Sequence, residues 1–341
     1  MGQGLSATIE PKNSATPSIA DVRAAQDRLA GRIRATPLVP SPALSTASGA
    51  AVHLKLEQLQ TTGSFKLRGA TNAVLGLSPE ERACGIVGVS TGNHGRGLAH
   101  AAKEAGVRCI ICMSRLVPRN KVEGIEALGA EVRIVGDSQD DAQIEVDRLV
   151  AEEGMVMLPP FDHPDIIAGQ GTLGIEIVEE LPAVETILVP LSGGGLFSGL
   201  ALAAKALKPT LRVVGVSMER GAAMYVCLEA GKPVTVPELP TLADSLGGGI
   251  GLENRYTFKM VRELIDDVIL VSEAEIARAI RHAYWEERQI IEGSGSVGIA
   301  ALLAGKVAGT GVTVALVSGC NIDMSLHHRI VSGEDVDVTA D

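Results

Sequence analysis

The chain has 341 residues, 46% apolar and 21% charged, and 41 acidic side chains against 30 basic ones leave a formal net charge of −11. A surface that binds nucleic acid or an anionic membrane needs a surplus of cations, so this balance argues against both and for a small-molecule partner held by local devices. The length suits two domains of ordinary size, and with aromatic residues at 2% the core must be made of Ala, Val, Ile, Leu and Gly, the usual material of a parallel sheet covered by helices. Five cysteines, an odd number, and no signal-like apolar start lead to the expectation of free thiols in the cytoplasm. No run of eighteen apolar residues supports a membrane span.

Residues 1 to about 17 mix Gly, Ser, Thr and Pro without periodicity and read as a disordered tail. Ser18-Ile19-Ala20-Asp21 has capping-box spacing, with Asp where Glu or Gln is usual, and starts a helix reaching about Arg32. Thr36-Pro37-Leu38 breaks it, and Val52 to Glu57 alternates as a strand does. That strand delivers the chain to Thr61-Thr62-Gly63-Ser64-Phe65-Lys66-Leu67-Arg68-Gly69-Ala70, where a lysine opens a helical stretch. Unpaired N–H groups and a positive dipole end make such a place favourable to anions and unfavourable to an ammonium. A lysine there is helped to lose its proton, as a nucleophile must, although an exposed surface lysine is the ordinary alternative.

Strands at Gly85 to Val89, Cys109 to Cys112 and Glu131 to Val135 then alternate with helices at Leu98 to Ala105, Arg119 to Leu128 and Gln139 to Glu153. The crossover rule makes this βαβαβα block a parallel, right-handed unit. A second block follows: strands at Met155 to Leu158, Thr186 to Pro190, Val213 to Val216 and Val312 to Val317, with helices ending at Glu180 and spanning Phe197 to Lys208, about Tyr256 to Ile265, and Glu273 to Arg288. The expected division is a tail over 1–17, a large domain over 18–75 and 156–341, and a small domain over 76–155 inserted in it.

Ser192-Gly193-Gly194-Gly195-Leu196 lies between a strand and a helix, an arrangement whose backbone amides cradle phosphate. It lacks Walker A spacing, and the G-x-G-x-x-G pattern at Gly293 to Gly298 follows helical rather than strand sequence, so a dinucleotide site is not supported. Ser90-Thr91-Gly92-Asn93-His94-Gly95 is a second strand-to-helix loop whose polar groups suit a small carboxylate; helix capping by Ser90 or Thr91 would explain one hydroxyl but not Asn93 and His94 as well. Cys109 and Cys112 form a C-x-x-C inside an apparent buried strand, where residues three apart face opposite sides, so neither a metal nor a redox site is expected there.

Ser64 to Ala70, the asparagine loop Ser90 to His94, the glycine loop Ser192 to Leu196 and the closing Ser318-Gly319-Cys320-Asn321 resemble the pyridoxal-phosphate enzymes of the tryptophan-synthase β fold, fold-type II. Within these the chain is similar to the branch of threonine dehydratase and serine racemase. The resemblance implies two open parallel-sheet α/β domains with the cofactor in the cleft between them, and a homodimer. It implies that Lys66 forms a Schiff base with pyridoxal 5′-phosphate, that Phe65 packs beside it, and that Asn93 bonds its 3′-oxygen. The amides of Ser192, Gly193, Gly194, Gly195 and Leu196 would hold its phosphate, and Ser318 its ring nitrogen. Ser64, Ser90, Gly92 and His94 would face the substrate carboxylate, and Lys66 would take the α-proton before the β-hydroxyl leaves, ending in a keto product and ammonia.

Three departures qualify the resemblance. Thr91 stands where serine racemase has its second acid or base, and a β-branched hydroxyl favours simple elimination over racemisation. Cys320 replaces a glycine and places a thiol, potentially reactive, close to the cofactor. Tyr225 replaces a carboxylate of the racemase's divalent-cation site, beside Glu219 and Ala223, so no metal is expected. The sequence ends without a stretch resembling the effector domain of biosynthetic threonine dehydratases. Asp244 to Tyr256 and Tyr284-Trp285-Glu286-Glu287-Arg288 resemble the hydroxyectoine-utilisation dehydratases, with threonine, serine or hydroxyaspartate dehydratases and racemases as alternatives. Arg68, Arg115, Arg119 and Arg255 are candidates to hold a second acidic group of a substrate.

Overall fold

The computed structural model describes residues 15–338 apart from 91, 116, 118, 310 and 337, and only the backbone of 120, 139 and 140. Thr91 and most of the expected tail therefore lie outside the described residues, while Pro17 is buried. Among the described residues the strands are β1 (Leu38–Pro40), β2 (Val52–Leu56), β3 (Ile86–Val89), β4 (Cys109–Met113), β5 (Glu131–Ile134), β6 (Val156–Met157), β7 (Thr186–Pro190), β8 (Arg212–Met218), β9 (Asp267–Val271) and β10 (Thr313–Val317).

They form two sheets, one ordered β1-β2-β10-β7-β8-β9 and one ordered β5-β4-β3-β6. Every pairing is parallel except that of β1 with β2. Period-2 alternation supplies helix-covered cores on both faces. Leu188, Val214, Val216 and Ala315 join one core of the larger sheet, while Ile187, Val189, Val213 and Val314 join the other. In the smaller sheet Cys109 faces one core and Cys112 the other, as their spacing predicts.

The strand β6 pairs with β3, so residues 156–157 belong to the smaller sheet rather than to the larger domain that the sequence suggested. β1 and β9, which the pattern did not reveal, are edge strands that carry half-buried residues. Ser18 forms the expected capping box with Asp21.

The helix Lys66–Gly76 packs on the helix Asn93–Ala105, which follows β3, and on the helix Pro164–Glu180. It is fixed there by a buried ionic cluster. Arg68, fully buried, donates from Nε and Nη2 to Glu57 at 2.8 Å each, and from Nη1 and Nη2 to Glu176 at 2.5 and 2.9 Å. Lys55 of β2, equally buried, lies 2.9 Å from Glu176 and donates to the Thr36 carbonyl at 2.8 Å. The cluster joins β2, the lysine-bearing helix and the helix Pro164–Glu180 in one hydrogen-bonded unit.

Candidate active site

Because β2, β10 and β7 are parallel neighbours, their carboxyl ends open on the same edge of the larger sheet, where open α/β sheets bind ligands. The segment after β2 is stitched to the segment after β10: Ser64 bridges Gly319, the Phe65 N–H donates to the Ser318 carbonyl at 3.0 Å, and the Cys320 N–H donates to the Gly63 carbonyl at 2.9 Å. Lys66 then opens its helix beside Ser318. The loop after β7 runs through Ser192-Gly193-Gly194 into the helix Gly195–Leu207. Asn93 arrives from the other side, at the start of the helix after β3. A cavity of about 140 Å³ is lined by Phe65, Lys66, Asn93, Ser192, Gly193, Gly194, Gly195, Leu196 and Ser318, so these nine residues expected from the sequence meet at one place.

The Lys66 ammonium donates to the Pro160 carbonyl at 2.7 Å and lies 5.3 Å from the centre of the Phe65 ring. Burial lowers its pKa to about 8, with Glu292 pulling weakly the other way. The exposed-lysine alternative is thereby removed. At the glycine loop, Gly194 adopts φ +87°, and a Cβ there would meet Met224, Val261 and Thr257 at 2.8–3.0 Å. No side chain caps the helix that follows, so its first N–H groups remain available to an anion.

The sequence suggested four residues that would face a substrate carboxylate. Ser64, Ser90, Gly92 and His94 are not among the residues lining the cavity. The Ser90 hydroxyl accepts from the Gly95 N–H at 2.9 Å, which is the helix-capping role. His94 Nε2 lies 2.8 Å from the Leu158 carbonyl, which only accepts, so Nε2 carries the proton and Nδ1 is a bare acceptor. Burial, followed by Lys66, lowers this imidazole to about 3, so it stays neutral and offers no donor to a carboxylate from Nδ1. Ser64 Oγ and His94 Nδ1 are buried without a hydrogen-bond partner.

Sequence reasoning missed Pro160, Phe161, Ser245, Leu246, Gly247 and Glu292, which complete the lining together with Pro190, Phe197 and Ser294. Glu292 immediately precedes the Gly293-Ser294-Gly295 run, and that run was the only signal; its meaning is a tight helix start, not a nucleotide loop. The Glu292 carboxylate accepts from Asn93 Nδ2 at 2.7 Å and from the Asn321 N–H at 3.0 Å. Burial, reinforced by Asp244, raises it to about 7. Cys320 donates to the Gln58 carbonyl at 3.4 Å, and burial with Glu292 nearby pushes its thiol up to about 11, which corrects the expectation of a reactive thiol. Glu219, which the resemblance set beside the replaced carboxylate position, lies 3.6 Å from the Lys306 ammonium.

The profile of the family described as pyridoxal-phosphate dependent enzyme matches residues 29–319. A putative threonine dehydratase of Sinorhizobium fredii is 61% identical over 317 residues, which cover 93% of this chain and 96% of that protein. An L-threonine ammonia-lyase of Thermotoga maritima is 40% identical over 316 residues, 92% of this chain and 78% of that one. The solved structure of maize serine racemase matches with a TM-score of 0.88 at 33% identity, covering 92% of this chain and 97% of that chain.

The residues present fit pyridoxal phosphate. The uncapped glycine-loop helix suits its phosphate, the deprotonable Lys66 its carbonyl carbon, and Asn93 and Ser318 supply polar groups on the same cavity wall. With the profile spanning most of the chain and the two curated relatives covered over most of their length, the chain belongs to the pyridoxal-phosphate-dependent enzyme family.

Proposed function

We propose that this enzyme is a dehydratase of the ammonia-lyase type, which removes water from a small β-hydroxy amino acid and releases ammonia and a keto product. The observation that carries the reading is Lys66: a buried amine with its pKa lowered to about 8, at a helix start, in the same cavity as an uncapped glycine loop. Such an amine holds the cofactor and then, once displaced, takes the substrate's α-proton at Nζ near neutral pH. The cofactor, when bound, supplies the electron sink for that proton loss. Asn93, Ser318 and the 192–196 amides would bind and orient it. Ser318 would offer the ring nitrogen a neutral hydroxyl, which stores less carbanion character than a carboxylate and favours elimination. The buried Ser64 hydroxyl, which has no partner of its own, points to a further polar contact for the substrate.

The names of the relatives support threonine or serine as substrates. The likeness of Asp244 to Tyr256 and of Tyr284 to Arg288 to hydroxyectoine-utilisation dehydratases supports a substrate derived from hydroxyectoine, and a homodimer in the cytoplasm accompanies either reading. The test is keto-acid and D-isomer production from L-threonine, L-serine, hydroxyaspartate and hydroxyectoine with its ring-opened forms, beside the visible spectrum of wild type and Lys66→Ala. Keto acid from wild type, and loss of the visible cofactor band in Lys66→Ala, are expected. D-isomer without keto acid would replace the dehydratase by a racemase.

A further inference from the structure

We infer that the site selects β-hydroxy amino acids whose side chain carries no carboxylate beyond the β-carbon, and disfavours diacids such as 3-hydroxyaspartate. The inference rests on the dehydratase reading and narrows its substrate class. Once Lys66 and the glycine loop are engaged with the cofactor, the lining left to the distal part of a substrate is Pro160, Phe161, Ser245, Leu246, Gly247 and Glu292. That set holds apolar surface, a hydroxyl and one buried carboxylate.

Among the described lining residues Lys66 is the only cation. The arginines that could have served a second acidic group are elsewhere. Arg68 is bound to Glu57, Glu176 and Thr172 inside the ionic cluster. Arg115 is paired with Asp137 at 3.0 Å and Arg119 with Glu123 at 2.6 Å, both largely exposed, and the exposed Arg255 does not line the cavity. Lys121 comes towards the rim but lies 3.2 Å from Asp244, whose charge it offsets. A second substrate carboxylate would therefore be desolvated with no cation among the described lining residues left to pair it. A methyl group or a neutral amide would meet Phe161 and Leu246 instead.

The holoenzyme is titrated with two unreactive analogues, L-2-aminobutyrate and L-aspartate, and binding is read from the visible cofactor spectrum. Keto acid from L-threonine and from 3-hydroxyaspartate is measured in parallel. Weaker binding of aspartate by about 50-fold is expected, the order of the cost of desolvating a charged group that finds no partner. Ser245→Arg, which sets a guanidinium at the exposed end of the lining, should narrow the gap by about 10-fold, as one added ion pair at a partly exposed site would. Aspartate binding, or hydroxyaspartate turnover, equal to that of the neutral partner overturns the inference while the dehydratase reading stands. If neither substrate yields keto acid but aminobutyrate still binds far better than aspartate, the selectivity stands and the dehydratase reading falls.

Discussion

Replacing Arg68 by methionine keeps the length of its stem but withdraws every guanidinium donor from a place that water does not reach. Glu57, fully buried, would then keep only the Thr36 hydroxyl, whereas Glu176 would keep Lys55 at 2.9 Å. The loss therefore falls on Glu57, an uncompensated buried carboxylate, and removing one partner of such a pair costs about 3–5 kcal/mol. Against a total stability of about 5–15 kcal/mol that is a large fraction. Arg68→Lys should fall between, because an ammonium cannot bridge two carboxylates with paired donors. Removing both charges, as Arg68→Met with Glu57→Leu, should recover more than half of the loss. The pH dependence has a fixed sign. Burial alone would raise Glu176, but Arg68 and Lys55 outweigh it and hold the group below the usual range. Its contribution is thus present above the unfolded value of about 4.3 and is lost as pH falls through the lower folded value, and Arg68→Met should weaken that acid dependence. Urea unfolding of the cofactor-free enzyme, followed by circular dichroism between pH 3 and pH 7, measures all of this. A single Arg68→Met within about 1 kcal/mol of wild type, or a double variant no better than the single, would refute the argument.

Two further predictions follow from the cavity. Glu292 is raised from the ordinary 4.5 to about 7 by burial and by Asp244, so the folded state keeps a proton that the unfolded state loses, and wild type loses stability as pH rises across that window. In cofactor-free enzyme, Glu292→Gln should gain on wild type by about 3 kcal/mol between pH 4.5 and pH 8, a difference read from urea midpoints; a pH-independent difference would contradict the shift. Gly194→Ala forces a side chain into a left-handed backbone and against Met224, so cofactor affinity should fall about 10-fold, corresponding to about 1–2 kcal/mol of strain. Titration of apoenzyme with pyridoxal phosphate tests it, and unchanged affinity would mean that the loop does not hold the phosphate.

Much of this molecule is written locally. The short apolar runs Thr186 to Pro190 and Thr313 to Val317, the capping box at Ser18, and the opposite-facing Cys109 and Cys112 follow from local pattern, which needs no tertiary partner. The lysine turn, the glycine loop and Ser318 were legible for the same reason: each is a short strand end followed by small or polar residues, and parallel topology brings such ends to one edge. Asn93 was legible from the strand-to-helix loop that carries it.

What the sequence could not settle depended on contacts across large separations. Whether Lys66 is exposed or buried was decided by the Pro160 carbonyl, 94 residues away, and by the packing of its helix on two others. The Leu158 carbonyl chose the tautomer of His94, and with it removed a donor that residue type alone had suggested. Glu292 and Arg68 show the same limit from opposite sides. The first is a glutamate in a glycine run that burial turns into a nearly neutral group lining the cavity, and the second an arginine that the fold encloses between two carboxylates, far from any substrate role. Periodicity tells which face of an element is apolar, but desolvation and charge pairing exist only once distant segments meet. By itself the sequence thus determined the strand ends and the chemistry they carry, and the tertiary structure decided which of those groups are charged, which are engaged, and which are left to a substrate.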